Sequence, residues 1–179
     1  MSNRDRTLLT PQTHIAAAAV DRMCADAGFP ILIYCTMRTC KEQAQIYRST
    51  RTRSEITSKM QSLTDMGYPF LAQLIESVGP QAGQLGKHKT KAGPGESWHN
   101  YGEAFDAAPK VGGNVIWDTS DPGYAAYGHA CQLMGLTWGG SWGWDHPHAQ
   151  LRATKNPLRA GMDPLNVRDL LIEAGSVDA

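Results

Sequence analysis

Two short blocks of the sequence concentrate side chains that bind metal ions, and a metal site would require the fold to bring them together. Residues 97–106 are Ser-Trp-His-Asn-Tyr-Gly-Glu-Ala-Phe-Asp, and residues 145–148 are Asp-His-Pro-His. Neutral imidazole and carboxylate groups are zinc ligands, and a catalytic zinc takes three of them with one position left open. His99 and Asp106 lie seven residues apart, too far for one helical face. The spacing favours a loop followed by a strand that carries the aspartate.

The second block offers two histidines, and the residues alone leave the choice between them open. In a strand, residues two apart project to the same face, so His146 and His148 could chelate a metal as a pair. The proline between them disturbs regular strand geometry. Together with the first block, either histidine would complete a set of three ligands. Asp145 would then be left to move protons, as in metal-dependent hydrolases.

The combined pattern resembles a known family. Ser-x-His-x-x-Gly-x-Ala-x-Asp, then Trp-Gly-Gly, then Asp-x-Pro-His-x-Gln is similar to the zinc peptidases of the D-alanyl-D-alanine carboxypeptidase/VanY type. It looks closest to the L-alanyl-D-glutamate endopeptidases that bacteriophages use as endolysins. The residues that carry the resemblance are Ser97, His99, Gly102, Ala104, Asp106, Trp138, Gly139, Gly140, Asp145, Pro147, His148 and Gln150. Arg38 and Gln43 resemble the family's upstream Arg-Thr-x-x-x-Gln segment, and the whole resemblance covers about residues 10–151.

The resemblance implies roles for individual residues. It implies one zinc ion per chain with His99, Asp106 and His148 as ligands, Asp145 as general base, and Arg38 as a group that orients substrate or stabilises an oxyanion. The supporting residues around the metal, which bind substrate or hold the ligands in place, are expected to be Ser97, Gln43, Gln150, Trp138 and His146. Among these, Gln150 is expected to orient the third ligand.

Two positions depart from the family pattern. Ala149 stands where the family often has Phe, and Met37 stands where an aromatic residue usually precedes the arginine. Both are next to expected catalytic positions. We therefore expect them to affect the substrate subsite more than zinc-dependent hydrolysis.

The resemblance also implies a substrate, the stem peptide of bacterial peptidoglycan, cut at its L-alanyl-D-glutamate bond. One alternative is a carboxypeptidase or dipeptidase that acts on the terminal D-Ala-D-Ala. Another is a non-catalytic, zinc-stabilised cell-wall-binding domain, as in hedgehog-like relatives of the fold. Asp145 and Arg38 argue against the last alternative, because a structural zinc needs neither.

Composition excludes several other partners. The chain has 179 residues, with 17 basic and 17 acidic side chains, so no overall field attracts it to nucleic acid or anionic membranes. The apolar run from Ile15 to Val20 is too short for a signal-peptide core or a membrane span. Either the protein stays inside the cell that makes it, or another protein releases it. The resemblance to endolysins implies the second case: a monomer made in the host cytoplasm without a signal peptide, which acts on the cell wall after a membrane-permeabilising partner releases it.

The four cysteines, Cys24, Cys35, Cys40 and Cys131, form no Cys-x-x-Cys pair. We predict buried thiols, because reduced cysteine behaves as a small hydrophobic residue. A Cys35–Cys40 bridge has no support in the spacing. Zinc ligation by cysteine is also disfavoured, since histidines and carboxylates already fill a site.

Periodicity and capping signals predict an α+β fold. We expect a single domain over residues 1–179, with its core at about 10–151 and a small antiparallel sheet flanked by helices, of the hedgehog/D-Ala-D-Ala-peptidase type that the resemblance implies. The predicted helices begin at Thr10-Pro11 and Thr39, lie within 56–66 and 70–78, and span 120–135 and 164–174. The predicted strands are 31–35, 103–107, 136–138 and 146–151. The last helix should pack on the domain through Leu165, Val167, Leu170, Leu171 and Ala174. Residues 79–96 are expected to form a loop, which either makes one wall of a substrate groove or is a disordered surface loop.

Overall fold

The computed structural model describes residues 3–79 and 89–178. The helices are α1 (Pro11–Asp26), α2 (Cys40–Arg48), α3 (Arg53–Asp65), α4 (Pro69–Ser77), α5 (Pro122–Leu133) and α6 (Pro164–Glu173). The strands are β1 (Ile31–Cys35), β2 (Ala104–Val111), β3 (Asn114–Val115), β4 (Thr137–Trp138) and β5 (His148–Gln150). Within these described ranges, no helix is long and apolar enough to cross a membrane.

The chain divides into two compact units. The sheet unit comprises Met1–Met37 and Tyr101–Ala153, and the helical unit comprises Arg38–Asn100 and Thr154–Ala179. Each unit is built from two segments of the chain, since the chain leaves the sheet unit after β1, returns to it before β2 and leaves it again after β5. The prediction of a single domain stays a prediction.

The sheet unit contains an antiparallel sheet with the strand order β1-β2-β5-β4, and the short β3 pairs with β2. The helices α1 and α5 contribute to one core cluster with this sheet, through Val20 and Cys24 on α1 and Tyr127 and Cys131 on α5. α1 begins where the sequence indicates, because the Thr10 side chain caps it and proline occupies its first turn. Helices combined with an antiparallel sheet confirm the predicted α+β class.

One row of the sheet collects polar residues. The ladder pairs Cys35 on β1 with Asp106 on β2, and pairs Asp106 with His148 on β5. Directly opposed residues in a sheet project to the same face. The next pair, Phe105 with Ala149, therefore projects to the other face, and both side chains belong to the core cluster. The alternation of strand residues thus separates the polar row from the apolar core.

The helical unit contains α2, α3, α4 and α6. Both α2 and α3 begin with a full capping box, formed in α2 by Thr39 with Glu42, as the sequence predicted. The buried Arg48 at the end of α2 donates to the carbonyl oxygen of Ile75 in α4 at 2.6 Å. This charge-assisted hydrogen bond ties the C-terminal end of α2 to α4.

The apolar face predicted for α6 is wrong in part. Val167 and Leu171, one helical turn apart, are fully buried, but Leu165 is 82% exposed and Leu170 is 40% exposed. Leu165 lies two residues before Val167, so at 100° per residue it points away from the buried side. The five apolar residues span more of the helix circumference than one packing face can cover.

Candidate active site

Asp106 and His148 form the centre of the polar row in the sheet unit. The Nδ1 atom of His148 lies 3.1 Å from Oδ1 of Asp106, and the exposed fractions of the two side chains are 9% and 15%. Their backbones are paired across β2 and β5. The sheet register itself therefore holds this imidazole beside this carboxylate.

Gln150 fixes the tautomer of the histidine. Its Nε2 donates to the carbonyl oxygen of Arg152 at 2.5 Å, so its Oε1 is the atom that faces His148 Nε2, at 3.0 Å. A neutral His148 then carries its proton on Nε2 and turns the lone pair of Nδ1 toward Asp106. Two electron-rich atoms 3.1 Å apart repel each other unless a proton or a metal cation neutralises them. This donor set fits a cation.

The same acidic surroundings raise the pKa of His148. Burial lowers it, but the hydrogen bond and negative charge of Asp106, the charge of Asp145 and the contact with Gln150 together raise it above its ordinary value. Both carboxylates therefore stabilise positive charge at this imidazole. A bound cation would take the place of that proton.

The Trp-Gly-Gly segment explains how Asp145 is positioned. A Cβ atom on Gly139 would collide with the backbone oxygen of Asp145 and lie 3.1 Å from the Cβ atom of His148. The indole ring of Trp138 fills the space beside Gly128 and Gly140, where any Cβ would overlap it. Glycine at these positions lets the turn that carries Asp145 approach β4 and β5 closely.

The side chain of His146 contacts different residues from that of His148. Its ring makes edge contacts with Trp138, at 5.7 Å between centroids, and with Tyr124, at 6.0 Å. Its carbonyl oxygen accepts from Nε1 of Trp138 at 2.7 Å. Pro147, which has no N–H to donate, instead accepts from the Ala107 N–H at 2.9 Å. The structure thus brings His148, and not His146, to Asp106.

In the helical unit, Gln43 anchors Arg38. The Oε1 atom of the fully buried Gln43 accepts from Nη1 of Arg38 at 2.9 Å, while its Nε2 donates to Thr90 Oγ1 and to the carbonyl oxygen of Ala92. Arg38 lies directly before Thr39, the N-cap residue of α2, and Gln43 is the fourth residue of the helix. The hydrogen bonds of Gln43 therefore orient the Arg38 guanidinium group. They also hold α2 against Thr90 and Ala92, which precede the motif at residues 97–106.

The backbone of Arg38 is also tied to that of His99. The Arg38 N–H donates to the His99 carbonyl oxygen at 3.1 Å, and the Asn100 side chain donates to the Arg38 carbonyl oxygen at 2.7 Å. Asn100 accepts in turn from the Gly95 N–H at 3.0 Å. His99 is 2% exposed, and Ser97 is half-buried. Asn100, which is fully buried, thus holds the turn between Ser97 and His99 against Arg38.

Sequence reasoning missed Asn100 and set aside Cys35. No motif or periodicity in the sequence pointed to Asn100, because its role depends on a hydrogen bond to Arg38, which is distant in the sequence. Cys35 stands opposite Asp106 in the sheet. Its position at the end of an apolar strand predicted burial, which is confirmed for all four cysteines, but not that neighbour.

The two departures from the family pattern receive a structural explanation. Ala149 belongs to the core cluster, on the opposite face of β5 from His148. Its expected effect on the substrate subsite stays a prediction. A residue of this size suits its position opposite the large Phe105 ring. Met37 is likewise buried, with 4% exposure.

The expected groove wall at residues 79–96 is only partly described. Residues 80–88 lie outside the described ranges. In the remainder, Glu96 is 4% exposed and accepts from Lys59 Nζ and from the Gly93 N–H, each at 2.7 Å. Residues 90–96 are therefore bound to α2 and α3 by hydrogen bonds.

Comparisons with known proteins agree with this chemistry. Two family models, both described as D-alanyl-D-alanine carboxypeptidase, match residues 6–120 (VanY) and residues 90–151. The peptidoglycan L-alanyl-D-glutamate endopeptidase CwlK of Bacillus subtilis is 27% identical over 145 residues, which cover 75% of this chain and 68% of that protein. Among solved structures, the L-Ala D-Glu endopeptidase ChiX of Serratia marcescens is 18% identical with a TM-score of 0.42, over 85% of this chain and 89% of that chain. Since the first match covers well over half of the sequence, the chain belongs to the VanY family of D-alanyl-D-alanine carboxypeptidases and is a peptidase of that family.

Proposed function

We propose that the chain is a zinc-dependent peptidase that hydrolyses the L-alanyl-D-glutamate bond of the peptidoglycan stem peptide. The observation that carries the proposal is the contact of His148 with Asp106, with the histidine tautomer set by Gln150. The bond is suggested by the activity in the name of the Bacillus subtilis relative. The sequence pattern around His99 and Asp106 supports the same substrate class.

The proposed ligands of one zinc ion are His99, Asp106 and His148. Asp106 and His148 supply an oxygen and a nitrogen donor on adjacent strands, and the motif supplies His99 as the third ligand. The hydrogen bond from Nε2 to Gln150 leaves Nδ1 of His148 as the atom for the metal. Zinc there would act as a Lewis acid and lower the pKa of a coordinated water molecule to about 7.

Asp145 and Arg38 are the proposed catalytic residues that do not bind the metal. The Asp145 carboxylate takes a proton from the attacking water and passes it to the nitrogen of the departing amine. The Arg38 guanidinium group, oriented by Gln43, donates hydrogen bonds to a substrate carboxylate or to the oxygen that gains charge as the amide is attacked. Ser97, Trp138 and His146 are proposed to contact the substrate.

We further propose that the enzyme is a bacteriophage endolysin, which acts on the cell wall after release from the host cytoplasm. The support is the sequence resemblance described above. Expression in bacteria with and without a membrane-permeabilising protein tests this role. Lysis only in its presence supports an endolysin, and lysis without it contradicts the proposed release.

Digestion of purified peptidoglycan, followed by mass analysis of the muropeptides, tests the proposed reaction. We expect fragments with a new N-terminal D-glutamate amine and no new reducing sugar ends, because amide hydrolysis leaves the glycan strand intact. The matched control is Asp145→Asn, which should release such fragments about 10²–10⁴-fold more slowly. Absence of any stem-peptide cleavage would favour a non-catalytic wall-binding domain.

A D-Ala-D-Ala carboxypeptidase is the second candidate function, because both matching family models carry that description. The same digestion separates the two functions. Release of D-alanine without a new D-glutamate amine would assign the carboxypeptidase reaction.

A further inference from the structure

Two tryptophans of the sheet unit form an aromatic stack with His148. Residues Gly139–Trp142 make one turn of 3₁₀ helix after β4, and Gly143 follows it with a positive φ of 82°, which glycine adopts without strain. The next residue, Trp144, packs its ring on that of Trp142, with 5.7 Å between centroids and a tilt of 35°. The Trp142 ring in turn lies 5.6 Å from the His148 ring, with a tilt of 37°. The stack therefore begins at the proposed metal site.

The outer ring of the aromatic stack faces solvent. Trp142, the middle ring, is half-buried, whereas Trp144 is 54% exposed. Single exposed apolar side chains are common, but this one extends an aromatic surface that leads to a site of chemistry, as in ligand-binding sites. The negative face of an indole attracts the positively polarised C–H groups of a ligand. The Trp144 ring is therefore a surface on which a ring-shaped ligand can stack.

The proposed substrate contains such a ring next to the bond that is cut. L-Alanine and D-glutamate offer a methyl group and carboxylates, whereas the N-acetylmuramic acid that carries them offers a sugar ring with C–H groups on its face. A lactyl group and the L-alanine residue separate this sugar from the scissile bond, and two units of this length span about 7 Å when extended. The rings of His148 and Trp144 each lie within 5.7 Å of the Trp142 ring, so their separation is at most two such spacings. The lengths of the linker and of the stack are compatible.

We propose that Trp144 is a platform for the N-acetylmuramic acid ring, and that the chain therefore recognises the stem peptide as part of the glycan rather than as a free peptide. The inference rests on the proposed function, because only cleavage of the L-alanyl-D-glutamate bond puts the sugar this close to the reacting atoms. Trp142 supports the platform, since it contacts both Trp144 and His148. Binding energy from the sugar, a part of the substrate that does not react, then helps to hold the amide in place.

Trp117 provides a matched control in the same unit. Its side chain is 61% exposed, close to the value for Trp144, and its ring makes an edge contact with that of Tyr34 at 5.3 Å. Tyr34 belongs to β1, which lies on the other side of β2 from the strand that carries His148. Trp117→Ala therefore removes an exposed indole of the same kind without removing a ring of the aromatic stack.

Two substrates that differ only in the sugar test the proposal. One is N-acetylmuramoyl-L-alanyl-D-glutamyl-L-lysine, and the other is the same peptide with only the D-lactyl group on its L-alanine. We expect the wild type to favour the first by about 5–10-fold in kcat/KM, the size of one stacking contact. This ratio should fall to about one in Trp144→Ala, stay partly raised in Trp144→Phe and be kept in Trp117→Ala. A merely structural role would lower kcat/KM for both substrates together, and metal content controls for the site.

Binding of a fragment gives a readout that does not depend on catalysis. N-Acetylmuramoyl-L-alanine, which lacks the scissile bond, is titrated into the purified protein and followed by the indole N–H signals in NMR spectra. The variants Trp144→Phe and Trp117→Phe assign the two signals. We expect the Trp144 signal to shift and the Trp117 signal to stay. D-Lactyl-L-alanine, which has no sugar, should shift the Trp144 signal much less.

Three results would overturn the proposal. They are equal cleavage of both substrates by the wild type, an equal loss on both substrates in Trp144→Ala, and a Trp144 signal that the sugar-containing fragment does not move. Failure of the proposed function gives a different result: neither substrate is cut at the L-alanyl-D-glutamate bond, but the sugar-dependent shift at Trp144 persists.

Discussion

His148 and Asp106 are backbone partners in the sheet as well as side-chain neighbours, with Nδ1 and Oδ1 3.1 Å apart. Register therefore determines their contact, and a change of one residue in the pairing would turn the histidine to the other face. The short β5 is held in place on both sides, by β2 and by β4.

Replacement of His148 should remove the metal, whereas replacement of His146 should not. His148→Ala deletes the imidazole beside Asp106, while the ring of His146 contacts Trp138 and Tyr124 instead. Metal content of the purified variants, measured by mass spectrometry, checks this. Zinc retained by His148→Ala but lost from His146→Ala would reverse the ligand assignment.

Asp145→Asn should keep the fold and the metal but lose about 10²–10⁴-fold in turnover, because an amide cannot accept the proton of the attacking water. Initial rates on purified peptidoglycan measure the loss, and metal analysis of the same sample controls for the site. Turnover within a few-fold of the wild type would exclude Asp145 as the base.

Gln150→Leu should weaken metal binding by about 10–100-fold, since His148 Nε2 would lose the acceptor that fixes its tautomer. A chelator competition assay gives the affinity. The variant also removes the hydrogen bond to the Arg152 carbonyl oxygen, so its free energy of unfolding is measured alongside. Unchanged affinity would show that the histidine needs no such support.

Gly139→Ala should destabilise the protein by about 1–3 kcal/mol, because the added methyl group meets the backbone oxygen of Asp145. Gly79→Ala is the control, since no described atom lies within 4 Å of a Cβ at that position. Denaturant unfolding of both variants measures the difference. Equal stability of the two would mean that the turn relaxes at little cost.

The thiols of Cys24 and Cys40 should react very slowly with a disulfide reagent at pH 8 in the folded protein. Burial, aided at Cys24 by the charge of Asp21, raises the pKa of each to about 11 from an ordinary 9.0. About one molecule in a thousand then carries either thiolate at pH 8. Reaction with Ellman's reagent before and after unfolding in guanidinium checks this, and fast labelling of the folded protein would contradict it.

The same pKa shifts make stability fall at high pH. Below the ordinary pKa of 9.0, the folded and unfolded states both hold these protons, so the contribution of the buried thiols to the free energy of unfolding is complete. Between pH 9.0 and about 11 only the unfolded state releases them, and this contribution is lost as the pH rises. Unfolding curves across this window measure the decline.

Local signals in the sequence predicted much of the fold. The Thr10 cap, the capping box of Thr39 with Glu42, and the apolar run from Ile31 to Cys35 each specify an element from a few neighbouring residues. The sequence also indicated a strand that carries Asp106, and β2 contains it. Such features depend on backbone hydrogen bonds and packing within one element.

The remaining features depend on residues that are distant in the sequence. The bulge that places Cys35 opposite Asp106 belongs to the pairing of two strands, and neither strand shows it alone. The role of Asn100 depends on the Arg38 carbonyl oxygen in the same way. The buried side of α6 was overestimated because Leu165 is apolar but exposed. Apolar character shows that a side chain can be buried, while the neighbouring elements decide whether it is.

The close fit of Trp138 between Gly128 and Gly140 sets limits on how this enzyme can be diversified. A library that varies either glycine would consist largely of misfolded members unless position 138 also became smaller. Ser141 and Trp144 are exposed in the same turn, so we expect substitutions there to cost less than at the two glycines. Selection for altered substrate preference should therefore begin at these two positions, next to Asp145, and keep the glycines constant.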